Sequence, residues 1–208
     1  MDDWTGLADF HSSMDYWMRV QRHCAESGLA VADEVALYDL PYLDGQRLMI
    51  PNGPGRAEDS DGFRQDSILN DGKWFTLRES GRSRADVYAD VVEAWFGTLN
   101  DLCKHFIGSY VGESTRMRLN LNLPIVNLRW LDRGPAPGWI ESNEPNPNGF
   151  EPATRYFKED EPGRFYFTDA GDGETSFRLN MTWRELNETY AHGIPGVEGV
   201  PMPSFSDD

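Results

Sequence analysis

Residues 83–108 read SRADVYADVVEAWFGTLNDLCKHFIG, and the fold class turns on them. Tyr88, Val92, Trp95, Leu99, Leu102 and Phe106 step by four and three residues. That stepping places them on one face of a helix over 84–107. Ser83 and Asp86 have the spacing of a capping box at its start. Lys104 and His105 stand in its last turn, where the helix dipole favours cations. Gly108 supplies a stop. The stretch therefore reads as the main core helix.

The chain upstream alternates helix and strand signals. Phe10, Met14, Trp17 and Cys24 form a helical stripe over 13–26, with Ser12 and Asp15 as a capping box and Gly28 as the terminator. Residues 35–40 and 46–50 read as short strands around the turn at Asp44 and Gly45. Residues 52–62, rich in Gly, Pro and Asp, read as an exposed loop. Its acids and the lack of a following Lys-Ser/Thr exclude a phosphate-binding loop. After the turn at 70–72, residues 73–78 read as a strand.

Downstream, the alternation of Leu with Asn over 119–123 suggests an extended segment within 114–123. Residues 133–152 carry Pro135, Pro137, Pro145, Pro147 and Pro152. They read as a long irregular connection, either an ordered functional loop or a disordered one. Residues 156–158, 164–168 and 175–181 read as strands, the last two joined by a hairpin turn at 169–174. Thr182 and Glu185 open a final short helix as a capping box, which ends near 193–195. The plan predicts an α+β fold: a mainly antiparallel sheet packed on one long amphipathic helix with shorter flanking helices. Residues 1–195 form a single globular domain in this reading, and 196–208 a loosely ordered, acidic, Pro-rich tail.

Charge narrows the function. The chain has 35 acidic and 19 basic residues, a formal net charge of −16. Such a field repels phosphate backbones and anionic membranes, and it speeds encounter with a basic partner. The start, Met1-Asp2-Asp3-Trp4, lacks the basic and apolar regions of a signal peptide, so a cytoplasmic protein is expected. Cys24 and Cys103 fall in predicted helices and do not make a disulfide framework. His11, His23, His105 and His192 are scattered, and there is no nucleophile elbow and no metal-ligand spacing. Paired carboxylates are abundant, but with 35 acids a nearby pair discriminates nothing. The expectation is a non-enzyme that needs no metal or cofactor.

A family resemblance sharpens this. Residues 72–78 (GKWFTLR) form a strand with an aromatic pair, which runs through 79–82 (ESGR) toward 92–96 (VEAWF), then Gly112, Arg116, Leu123 and Pro124. Over 42–124 this resembles the bacterial immunity proteins encoded beside necrotizing-toxin-type NAD glycohydrolases in polymorphic toxin systems. The family pattern is a Trp-containing strand, a Ser-x-x-Arg-like turn, a helix with Glu followed by aromatics, then Gly, Arg and Leu-Pro. The resemblance implies a cytoplasmic inhibitor that binds a basic toxin catalytic domain as a heterodimer and blocks its NAD site. The inserting segments would be the 52–62 and 134–152 loops, with Asp59, Asp61, Trp139, Glu141 and Glu144 as contact residues. An acidic secretion chaperone or adaptor, and a carboxylate-dependent hydrolase, are the competing readings.

Overall fold

The computed structural model describes residues 4–29, 38–51, 53, 63–83, 86–119, 121–145, 147, 152–168 and 172–208, and it breaks the deciding stretch in two. Residues Asp86–Phe96 are a strand, and only Leu99–Phe106 are α-helical. Val87, Tyr88, Val91, Val92, Trp95 and Phe96 are β-branched or aromatic, the types that fit a pleated surface. The helical stripe holds for Leu99, Leu102 and Phe106 and is coincidental before them. Gly97 makes the break, because a Cβ there would lie 2.1 Å from the Gly163 carbonyl oxygen. Thr98 then caps the helix, its hydroxyl accepting the Asp101 N–H at 3.1 Å.

In chain order the elements are α1 (Leu7–Glu26), β1 (Tyr42–Asp44), β2 (Arg47–Ile50), β3 (Arg64–Asn70), β4 (Phe75–Ser83), β5 (Asp86–Phe96) and α2 (Leu99–Phe106). A π-helical segment (Ile107–Gly112) runs on into α3 (Glu113–Arg118), so Gly108 does not end the helix. β6 (Trp139–Pro145), β7 (Pro152–Lys158), β8 (Phe165–Thr168), α4 (Thr175–Leu179) and α5 (Trp183–Ala191) complete the fold. The strands form one eight-stranded antiparallel sheet in the order β1-β2-β3-β4-β5-β8-β7-β6. The α+β class is as expected, but the long helix is the 20-residue α1. It stops in a Schellman motif: Gly28 has φ +69°, its N–H bonds the Ala25 carbonyl at 3.1 Å, and the Leu29 N–H bonds that of Cys24 at 2.8 Å.

Antiparallel partners share a face, so the register sorts the side chains. Leu48, Ile68, Leu77 and Ala94 form one row. Phe75, Phe96, Tyr166 and Tyr156 form another. Both rows face α1, α2 and α5 in a single core with Phe10, Met14, Trp17, Leu102, Phe106, Trp183 and Tyr190.

Three further expectations are corrected, and one strand, β3, was not foreseen. Residues 114–118 are helical, and the Leu/Asn alternation begins only beyond α3. Residues 175–179 are α4, so 169–174 closes no hairpin. The Thr175 hydroxyl donates to Asp172 at 2.8 Å and the Ser176 N–H to the Gly173 carbonyl, which starts a helix there. β3 carries no alternation legible in sequence, because its Asp66 is fully buried, accepting from the Tyr38 hydroxyl at 2.9 Å and from Arg64 at 2.8 Å. The tail is docked: Phe205 is buried and stacks on Trp183 at 6.2 Å, and Asp207 accepts the Trp183 N–H at 2.9 Å. The strand expected at 35–40 and the loop at 52–62 lie largely outside the described residues.

Candidate functional site: the open face of the sheet

The register carries a second set of side chains away from the helices. Thr76, Trp95, Phe167, Arg155 and Ser142 are successive cross-strand partners, and Phe165, Phe157 and Ile140 form the adjacent row. None of the aromatic residues in these rows belongs to the core that joins the sheet to the helices. Trp74 packs edge-on against Phe165 at 5.2 Å and Phe167 at 6.2 Å. The Arg155 guanidinium lies 5.0 Å from the Phe157 ring centroid and 5.1 Å from that of Phe165. Lys73 Nζ lies 4.2 Å from the Trp74 centroid. Phe167 is covered by these neighbours, whereas Trp74, Trp95, Phe157 and Phe165 remain half-exposed. Trp, other aromatics and Arg, anchored on a rigid sheet, are the side chains that dominate protein interfaces.

Beside the tract, Asp90 accepts from Arg47 and Arg78, each at 2.7 Å. It holds φ +58° in a register shift of β5, with its N–H bonded to Ser80 Oγ at 2.9 Å. These hydrogen bonds, led by Arg47, hold its carboxyl below the usual range.

The residues expected to touch a partner fall in different places. Asp59 and Asp61 lie outside the described residues. Trp139, Glu141 and Glu144 belong to edge strand β6, not to an irregular loop. Trp139 is only 5% exposed, donates its indole N–H to Asn180 at 2.9 Å and lies under Arg164 at 5.5 Å. It is a core residue and cannot anchor a partner from the surface. Glu141 is exposed. Glu144 sits beside the open face, accepting from Ser142 at 2.9 Å and pairing with Arg155 at 3.4 Å. Sequence reading missed the aromatic tract, although Arg155, Phe157, Phe165 and Phe167 alternate with the core residues Tyr156 and Tyr166.

A cleft of about 560 Å³ opens elsewhere, where α1, α2 and α5 begin. Its carboxylates are each committed: Asp9 to Ser206, Asp207 to the Trp183 N–H, and Glu161 to Lys158. The Lys158 bond holds Glu161 below its ordinary value, the opposite of what a general acid needs. Burial pushes the thiols of Cys24 and Cys103 up, away from the thiolate. Burial and then Arg178 push His105 well below its usual range, so it is a neutral core imidazole. Arg178, 2% exposed, lies 3.4 Å from His105 Nδ1 and 3.7 Å from Asp172.

No protein family and no curated protein matches the chain in sequence. Its fold is similar to the solved structure of Rv3902c from M. tuberculosis, with a TM-score of 0.55 and 15% identity over 94% of each chain. At that identity the likeness shows the fold alone. The motif at 92–96 that resembles the immunity family lies on β5, where that family pattern calls for a helix.

Proposed function

We propose that this protein is an immunity protein that binds a cognate toxin domain, of the NAD glycohydrolase class, and blocks its active site. The observation that carries the binding half of this reading is the open sheet face, with Trp74, Trp95, Phe157 and Phe165 half-exposed around Arg155. The toxin half rests on the motifs at 72–82 and 92–124. The charge of −16 suits capture of a basic catalytic domain, because it raises the encounter rate before the aromatic contacts form. The committed carboxylates of the cleft weigh against the hydrolase reading.

The test is a titration of this protein into the toxin domain encoded beside it, following NAD hydrolysis. Activity is expected to vanish at one equivalent. The double variant Phe165→Ala, Arg155→Ala is expected to bind at least tenfold more weakly while still folding. Full toxin activity at saturating protein sinks the inhibitor reading, and undiminished binding by the double variant moves the contact off the open face.

A further inference from the structure

We infer that a second docking surface, for a short acidic amphipathic protein segment, lies on the apolar patch of Met117, Ile125, Leu128 and Leu131. These side chains are 69%, 43%, 57% and 51% exposed. Four large apolar side chains so exposed within fifteen residues of chain form a patch of the kind that marks interaction sites.

Local bonding brings them together. The Glu113 carboxylate accepts the Val126 N–H at 3.0 Å, and Arg116 donates to the Pro124 carbonyl at 3.0 Å. These bonds hold Ile125 against α3, which carries Met117. Beyond it, Arg129 N–H bonds Val126, Trp130 bonds Asn127 and Arg133 bonds Trp130, each three residues back. A chain turning every three residues from Val126 on places Leu128 and Leu131 on one side, with Ile125 just before the turn. Trp130 points the other way, stacked on Phe177 at 5.7 Å, and fixes the row to the domain.

The charge around the row is opposite to that of the chain. From 113 to 140 there are Arg116, Arg118, Arg129 and Arg133, against Asp132 and the buried Glu113. Arg116 is buried and donates to the carbonyls of Tyr190, His192 and Pro124. Arg129 and Arg133 are exposed, and Arg118 is half-buried. Screening confines the field of distant charges to about 8 Å at physiological salt. A short segment touching this row therefore meets the arginines, not the whole acidic surface. A second copy docking through the same row would set its own Arg129 and Arg133 against these and be repelled. The occupant is thus a short segment of another protein, with apolar side chains for the row and carboxylates for Arg129 and Arg133. This surface does not depend on the toxin reading.

The test measures fluorescence anisotropy of two labelled amphipathic peptides of equal length, one of Leu and Glu and one of Leu and Lys, with the full-length protein at physiological salt. The Glu peptide is expected to bind and the Lys peptide not to. Leu128→Ser with Leu131→Ser, and separately Arg129→Glu with Arg133→Glu, are expected to weaken it at least tenfold. These positions are exposed, and circular dichroism checks that the variants fold. Absence of binding, equal binding of both peptides or unchanged binding by either double variant overturns the proposal. So does docking of phosphatidylserine vesicles through the same four positions, which would make the row a membrane contact. A dimer in light scattering that Leu128→Ser with Leu131→Ser dissolves would assign it to a second copy, and overturns it too.

Discussion

On the covered face of the sheet, Phe96, Tyr166 and Tyr156 form a stacked file with centroids 5.6 and 4.8 Å apart, sealed by helices. On the open face, Trp74, Phe165 and Phe167 meet edge to face, and the cation of Arg155 takes the place of a covering layer. The strands and the residue types are the same. What differs is cover, and with it the use of each aromatic. Those in the file hold the fold together, whereas those around Arg155 hold one another and leave ring surface to the solvent. The charged groups divide the same way. Arg178 is enclosed with His105 and Asp172, while Arg155 faces outward beside Glu144.

The comparison can be broken most decisively by truncation. Phe96→Ala should cost about 3–5 kcal/mol in denaturant unfolding, the range for emptying a buried aromatic site. Phe165→Ala should cost less, roughly 1–2 kcal/mol, because the ring keeps part of its surface in water after folding. Equal losses would mean that the two faces are energetically alike. Arg178→Met tests the buried charge. It takes the buried guanidinium from half-buried Asp172 and should destabilise by roughly 2–3 kcal/mol, whereas Arg155→Met should change stability by less than about 1 kcal/mol.

Acid sharpens the contrast further. His105 has its folded pKa pushed well below 6.5, the unfolded value. Its contribution to stability is therefore complete above pH 6.5 and falls as pH drops below it, by about 1.4 kcal/mol per unit. Asp66, Glu113 and Asp172, whose carboxyls burial pushes up, act in the opposite sense. The difference between the wild type and His105→Gln across pH 7.5 to about 5.5 isolates the histidine. Urea midpoints that run parallel over that range would show that His105 titrates normally.

The parts of this fold that were legible in the sequence are those whose determinants are local. The Thr182 and Glu185 capping box forms with both of its hydrogen bonds, and α5 starts where they place it. The α1 stripe of Phe10, Met14, Trp17 and Cys24 is buried as its spacing implies. The start of α1 was illegible, because its N-cap is Gly6 with φ +95° and no side-chain bond. β5 was misread because a strand with a register shift at Asp90 can imitate helical spacing, and only the close approach at Gly97 decides the matter. Trp139 shows the limit for sites. Its burial depends on Asn180, forty-one residues away in sequence, and nothing nearby announces it. The aromatic tract is the same case, since strands far apart in the chain assemble it.

The sheet is two meanders, β1 to β5 and β8 to β6, joined at Trp95 with Phe167, Phe96 with Tyr166 and the Gly97 N–H with the Phe165 carbonyl. Within each meander every pairing is between strands that follow one another in sequence, whereas the junction links β5 to a strand beyond α2, α3 and β6. Closing that long loop is the entropically costly event, so the order of assembly is set at this seam. The two halves are expected to form quickly and to meet in the slow step. Weakening the seam should therefore lower the refolding rate, while weakening the β6–β7 pairing should mainly raise the unfolding rate.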